Sequence, residues 1–278
     1  MKQEPLNRSH QSLLTSRFQQ LAVDLSEYSF ANCYLFRHVH EYEVIVDEEE
    51  IFLRGKTYDG KRYLMPTRDI RLIQETTLKR YLQSDVDFLF PIPEKWVTEK
   101  QKYSVTYLDQ ESDYIYDIEK IRNYPGRHLD GRRNLVHQFL NEYRAGALPL
   151  SGDALQVLEK WTESNLSAEK TDDVACREAI ALHQELGLTG RLYIIDGKPA
   201  GFIIGEALNE QMFVLHFAKA DLSYKGIYQY MYQEFAQTIP ENIKFLNWEQ
   251  DLGIAGLQQS KNAYLPDRLL KKMRVSLT

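Results

Sequence analysis

The sequence predicts an α/β protein of the α+β kind, built from two domains that each combine a mixed sheet with flanking helices. Three observations predict it. At 278 residues the chain is long enough for two cores, since a domain of ordinary size takes about 150 residues. Runs rich in aromatic and β-branched residues, bounded by turn residues, alternate with runs of helical periodicity. The two halves also repeat one coarse order, helices followed by a hairpin-rich sheet and then strand, helix, strand, without any repeat at the level of sequence.

Taken in order, Leu13, Leu14, Phe18, Leu21, Ala22 and Leu25 recur at helical spacing and predict a helix over about 11–25. The segments Cys33–Val39, Tyr42–Val46, Ile51–Arg54 and Lys61–Met65 read as strands, separated by the acidic turn Asp47–Glu50 and by Tyr58-Asp59-Gly60. A helix over 69–83 and a short strand Val86–Phe90 follow, the strand ended by Pro91-Ile92-Pro93. Tyr103–Leu108 and Tyr114–Tyr116 look extended, and Leu135, Val136, Phe139, Leu140 and Tyr143 give one apolar face to a helix over 127–144. Gly146–Ser151 reads as a linker, which places the domains at 1–146 and 147–278, with the 127–144 helix bridging them. Beyond it come helices over 152–165 and 171–186, then strands Arg191–Ile195, Pro199–Leu208 and Gln211–Ala220. A helix Ile227–Thr238, a strand Lys244–Asn247, a short helix Ile254–Asn262 and a final amphipathic segment ending in Met273-Arg274-Val275 complete the chain.

Composition narrows the function classes. With 34 Lys and Arg against 40 Asp and Glu, the net charge of −6 argues against binding nucleic acid over the whole surface, although a local basic strip is compatible with it. The two cysteines, Cys33 and Cys176, have no ligand spacing, which suits a reducing compartment and argues against structural zinc. The polar start MKQEPLNRSH lacks the apolar stretch of a signal peptide, and no apolar run is long enough to span a bilayer, so a cytoplasmic protein is expected.

Chemistry concentrates in two places. If Lys244–Asp251 is one strand, Asn247, Glu249 and Asp251 project from one face near its end, where a carboxylate could take a proton from an attacking amine or hydroxyl or hold an ammonium. The local reading of the same residues is that Asp251 caps the next helix and Glu249 pairs with a lysine such as Lys261. Second, Arg122, Arg127, His128, Arg132 and Arg133 cluster around the start of a helix. Between Lys120 and Arg144 there are six Lys or Arg against two Asp or Glu. Cations at a helix N-terminus oppose its dipole, which suggests that they meet an anion. His216 reads as an interior histidine, and no nucleophile with an adjacent base is visible, so a covalent enzyme intermediate is not expected.

The element order of the second half resembles a GNAT acyltransferase domain. That resemblance implies that the loop Ala220–Gly226, with Lys225 and Gly226, takes the place of the pyrophosphate-binding loop, although it carries one glycine and the acid Asp221. Asn247-Trp248-Glu249-Gln250-Asp251-Leu252-Gly253 through Leu257, followed by Lys261, Tyr264 and Pro266, resembles the closing motif of the phosphatidylglycerol lysyltransferase C-terminal-like family. Asp113-Tyr114-Ile115-Tyr116-Asp117 with His128, Arg132, Arg133, Asn134 and Phe139 resembles its middle motif. The resemblance implies two tandem GNAT-like domains with a substrate cleft, and a transferase that moves an acyl or aminoacyl group onto an amine or hydroxyl acceptor. Glu249, Asp251 and Asn247 would be catalytic, and Lys225, Gly226, Lys261, Arg268, His128, Arg132, Arg133 and Asn134 would bind substrate or anion. Gln258 stands where the family has an arginine. No tightly bound cofactor is expected. Acyl-CoA and aminoacyl-tRNA are the candidate co-substrates, and a small molecule or lipid headgroup, met by peripheral membrane contact, the candidate acceptor. The alternative is a non-catalytic ligand-binding module that keeps the tandem fold.

Overall fold

A computed structural model of the chain describes residues 2–97, 103–164 and 170–278. In chain order its elements are β1 (Lys2–Pro5), α1 (Gln11–Leu21), α2 (Phe30–Leu35), β2 (Glu43–Asp47), β3 (Glu50–Lys56), β4 (Arg62–Pro66), α3 (Glu75–Ser84), β5 (Phe88–Pro93), β6 (Tyr103–Thr106), β7 (Asp113–Asp117), α4 (Ile118–Asn123), α5 (Asp130–Glu142), β8 (Ala145–Pro149), α6 (Ala154–Ser164), α7 (Lys170–Leu182), β9 (Thr189–Ile195), β10 (Lys198–Ala207), β11 (Met212–Ala220), α8 (Ile227–Thr238), β12 (Phe245–Asn247), α9 (Ala255–Asn262), β13 (Arg268–Leu270) and β14 (Lys272–Leu277). They form two seven-stranded sheets, of order β1-β2-β3-β4-β5-β14-β6 and β13-β7-β12-β11-β10-β9-β8.

Both sheets are wired alike. Counted from β1 in one and from β8 in the other, the first four strands are antiparallel neighbours, the fourth and fifth are parallel (β4 with β5, β11 with β12), and the sixth returns antiparallel. This is the GNAT-like sheet, present twice. In each sheet the sixth place is filled from outside the run of neighbouring strands, by the chain's last strand β14 in one and by β7 in the other.

That wiring moves the domain boundary. One unit comprises Met1–Asp113, Gln250–Leu257 and Leu269–Thr278, and the other Tyr114–Glu249 and Gln258–Arg268. The expected junction at residue 146 instead lies within the second unit. The reason is that β7 hydrogen-bonds to β12, and that Ile118, Ile121, Tyr124, Leu129, Val136 and Phe139 share a core with Met231, Phe235 and Leu246. The stretch read as a linker is β8, the edge strand of the second sheet, paired with β9 from Ala145↔Ile195 to Pro149↔Arg191. Residue 165, the expected end of the first helix after it, lies outside the described residues.

Other differences are local. The helix expected over 11–25 stops at Leu21, because Ala22 turns left-handed at φ 46°. Cys33–Val39, read as a strand, is instead the end of α2 and a turn. Ser29 caps α2 by accepting the Asn32 N–H, and all six helical residues are buried. β5 continues through Pro91 to Pro93. Its parallel pairing with β4 covers only Phe88 and Leu89, so the prolines remove no ladder bond on that side. The final amphipathic segment is the strand β14.

The first unit buries charge as well as apolar surface. Lys272 on β14 is fully buried, with Asp113 Oδ1 at 2.6 Å, Glu27 Oε1 at 2.7 Å and Gln250 Oε1 as a third acceptor. Asp113 is also fully buried and accepts the Ser26 N–H at 2.8 Å. Two carboxylates thus share one ammonium. Burial, reinforced by the charge of Asp113 and opposed by Lys272, pushes the Glu27 carboxyl up from 4.5 to about 7. Two residues along, Arg274 forks onto Asp59 at 2.9 and 3.1 Å, donates from Nε to Glu111 at 3.0 Å and lies over the Phe88 ring at 4.8 Å.

Removing the ammonium leaves two buried carboxylates facing each other, so Lys272→Met should lose about 3–5 kcal/mol of unfolding free energy by denaturant titration. The raised Glu27 carboxyl means that the folded state holds an extra proton between about pH 4.5 and 7. Its contribution to stability therefore falls as pH rises through that window, and Glu27→Gln should flatten this part of the stability–pH curve.

Candidate functional site

β12 ends at Asn247, and the face expected from alternation through Asp251 does not form. Asn247 is fully buried, and its Oδ1 accepts the Glu249 N–H at 2.7 Å. This bond closes a turn in which Glu249 adopts φ 57°, a conformation that side-chain-bearing residues avoid unless held. The hold is visible. Lys261 Nζ donates to the carbonyls of Trp248 at 2.6 Å and Glu249 at 3.0 Å, and the Tyr114 N–H also reaches the Glu249 carbonyl. Lys261, expected to bind an anion, is therefore the clamp of this turn. Asp251, expected beside Glu249, belongs to the first unit. It is buried, and its Oδ1 accepts the Gly253 N–H at 2.8 Å, so it shapes the turn ahead of α9.

The turn aims the Glu249 carboxylate at His216. Its Oε1 lies 2.9 Å from His216 Nδ1, and Glu206 Oε1 lies 3.0 Å from Nε2 on the opposite side of the ring. His216 sits on β11 at a β-bulge, because Ile204 pairs with Phe217 while Gly205 pairs with Leu215, which leaves His216 without an opposite residue. Gly205 is required there, since a Cβ would come within 2.2 Å of the Val214 carbonyl. The imidazole is fully enclosed, while each glutamate side chain keeps 17% of its surface. Burial disfavours charge on the ring, but hydrogen bonds and charge from Glu206 and Glu249 outweigh it and raise the pKa from 6.5 to about 10. Both ring nitrogens then donate, and two carboxylates around one imidazolium leave one net negative charge. This group stands just past Val214↔Asn247, where pairing between the parallel strands β11 and β12 stops.

Trp248, the residue before Glu249, belongs to an aromatic cluster in the core of the second unit. Trp248 contacts Tyr116 and Tyr232 at 4.4 Å between centroids and Tyr264 at 5.0 Å. Arg132 places its guanidinium 5.2 Å from the Tyr264 ring, which connects the basic segment to Trp248 through one side chain. Arg133 is committed, donating to the Tyr124 carbonyl at 2.6 Å and pairing with Asp130. His128 and Asn134 are exposed on the same segment. Arg268 lies over the Phe245 ring at 4.6 Å.

Lys225 and Gly226 open α8. Lys225 is exposed, and Gly226, at φ 89°, packs so tightly that a Cβ would lie 2.5 Å from the Leu135 carbonyl. Asp221 pairs with Lys160 and accepts the Ser223 N–H at 3.0 Å. The loop's one glycine thus serves helix packing, and its acid is held in place.

Glu206 and His216 were not among the expected site residues. No sequence spacing marks them, because strand register and the bulge bring positions 206, 216 and 249 together. Only the Glu249 position is legible, through its motif.

Sheet wiring, with one parallel pair at the same place in each sheet, defines the class as a tandem GNAT-like fold. The profile described as "Phosphatidylglycerol lysyltransferase, C-terminal" matches residues 18–275, and the chain belongs to that family. An uncharacterized protein of Mycoplasmoides gallisepticum is 28% identical over 205 residues, covering 69% of this chain and 64% of that protein, so the match spans less than two thirds of the relative's length. A conserved protein of unknown function from Bacteroides thetaiotaomicron shares the fold at TM-score 0.88, with 23% identity and full coverage of both chains. The C-terminal domain of a putative lysylphosphatidylglycerol synthetase from Agrobacterium fabrum shares it at TM-score 0.65, with 10% identity over 96% of this chain and 93% of that one. Among the described residues no helix is long and apolar enough to cross a membrane.

Because the paired carboxylates hold the proton on His216, the ion pairs contribute fully below the ring's ordinary pKa of 6.5 and are lost as pH rises through about 10. Imidazole ¹⁵N NMR should show His216 doubly protonated at pH 8, and Glu206→Gln should move its titration down by more than a pH unit.

Proposed function

We propose that this chain is a transferase that moves an aminoacyl group from aminoacyl-tRNA onto an amine or hydroxyl acceptor, a lipid headgroup being one candidate. The observation that carries this reading is the net-negative Glu249–His216–Glu206 group at the edge of β11 beyond its pairing with β12. A negative site favours an ammonium, which an aminoacyl donor carries and a simple acyl donor lacks. The α8 loop favours the same donor over acyl-CoA, since the loop carries the acid Asp221 and its glycine, Gly226, is used for packing.

In this reading His216 is not the base, because it already carries its proton. It fixes the two carboxylates, and the Glu249 carboxylate receives the proton that the acceptor's hydroxyl or ammonium gives up. The acceptor's lone pair forms the new bond to the donor carbonyl, backbone N–H groups of β11 stabilise the oxyanion, and the ester bond to the tRNA ribose breaks as its oxygen takes up a proton. Arg132, beside Tyr264, would meet an anionic part of a substrate.

The test is transfer of labelled aminoacyl groups from a mixed charged-tRNA pool to phosphatidylglycerol vesicles and to soluble amines. Wild-type chain should transfer, and Glu249→Gln and Glu206→Gln should each lower the rate about 10²-fold or more while thermal unfolding shows them folded. Equal turnover by Glu249→Gln would remove its role. Retention of a donor or acceptor without turnover would instead establish the binding module.

A further inference from the structure

In the first unit an open cavity of about 670 Å³ lies between α1 and the β2–β3 hairpin. The helix builds its wall by periodicity. Leu14 and Phe18 point into the core, while Ser12, Ser16 and Gln20, spaced four apart, line the cavity as a neutral hydrogen-bonding stripe. Arg17 and Glu49 line it from opposite sides. Arg17 Nη2 donates to the Glu49 main-chain carbonyl at 3.0 Å, which pins hairpin to helix. Among the described residues, the Arg17 guanidinium meets no carboxylate and the Glu49 carboxylate meets no cation. Two opposite charges on one cavity therefore stand close in the fold without neutralising each other. Arg68, also on the wall, touches Glu50 through one nitrogen at 2.9 Å rather than as a fork, and so keeps further donors.

A ligand with only negative charge would meet Glu49, and one with only positive charge would meet Arg17. We propose that this cavity binds a small zwitterion, an α-amino acid in its simplest form, with its carboxylate on Arg17 and Arg68, its ammonium on Glu49, and the Ser12, Ser16 and Gln20 stripe along its length. The site is separate from the Glu249 group and does not depend on the transferase reading.

The test is a ¹H–¹⁵N NMR titration of the full chain with L-alanine, with sodium acetate and methylammonium chloride as single-charge controls. The amides of α1 and of residues 48–50 should shift saturably with L-alanine and not with either control. Arg17→Gln and Glu49→Gln should each weaken binding at least about tenfold, about 1.4 kcal/mol. Both are surface substitutions, so the spectrum itself reports that the fold is kept. Absence of a saturable shift up to about 10 mM, well beyond millimolar affinity, would overturn the proposal. So would equal shifts with acetate or methylammonium, or wild-type affinity in both variants.

Discussion

The rest of the first unit depends on how β14 enters its sheet. Lys272, Met273, Arg274 and Val275 are all buried where β14 lies between β5 and β6, so this strand carries two cations into the interior. A buried cation without a partner would cost several kcal/mol, and the unit is organised around avoiding that cost. Asp113, Glu27 and Gln250 converge on Lys272, and Asp59 and Glu111 on Arg274. These partners come from four separate segments, so one strand's charges tie together pieces that the sheet's hydrogen bonds alone would leave independent. The Arg274 guanidinium in turn holds the Asp59 carboxyl down at about 2. The turn at Tyr58-Asp59-Gly60, legible in sequence as a hairpin, is therefore also a counter-ion.

Sequence reading succeeded where one face of an element meets water. α8 was expected at Ile227–Thr238 and is found there, because Ile227, Met231 and Phe235 alternate with less buried positions at helical spacing. It failed where burial is complete or where pairing decides. All of α2 is buried, so no periodicity distinguishes helix from strand, and its aromatic composition suggested strand. At β8, Gly146 and Pro149 gave the composition of a linker, yet an edge strand tolerates both because one side of its backbone needs no partner. The tandem plan was legible as a repeated order of elements. The boundary was not, because it follows from β7 and β14 joining sheets away from their sequence neighbours, a long-range pairing with no local mark.

The closing motif shows how a recognisable sequence can misdirect the reading of individual residues. Its polar groups looked like three catalytic candidates on a strand. In the structure Asn247, Lys261 and Asp251 all act on backbone, leaving Glu249 as the one whose carboxylate faces a titratable partner. The left-handed φ of Glu249 explains the division of labour. Holding a residue with a Cβ there costs roughly 1–2 kcal/mol. The Asn247 side chain and the Lys261 ammonium offset it through three hydrogen bonds, two of them charge-assisted.

The basic segment resolves in the same way, and its dipole problem dissolves. Arg122 was counted with the cations facing an anion, yet its Nε and Nη2 donate to the Ala236 and Ile239 carbonyls at 2.9 and 2.7 Å, at the C-terminal end of α8. A cation there is favoured by the α8 dipole. Arg133 serves the carbonyl of Tyr124, the residue that ends α4 in a left-handed turn. Both arginines thus stabilise helix ends other than that of the helix they precede or begin. Arg132 is different: it has a ring beneath it, no acidic partner among the described residues, and a buried Nε without an acceptor. A buried N–H without an acceptor is costly. Of the cations that looked like an anion site in sequence, Arg132 is therefore the one with a buried N–H that the described residues leave unpaired.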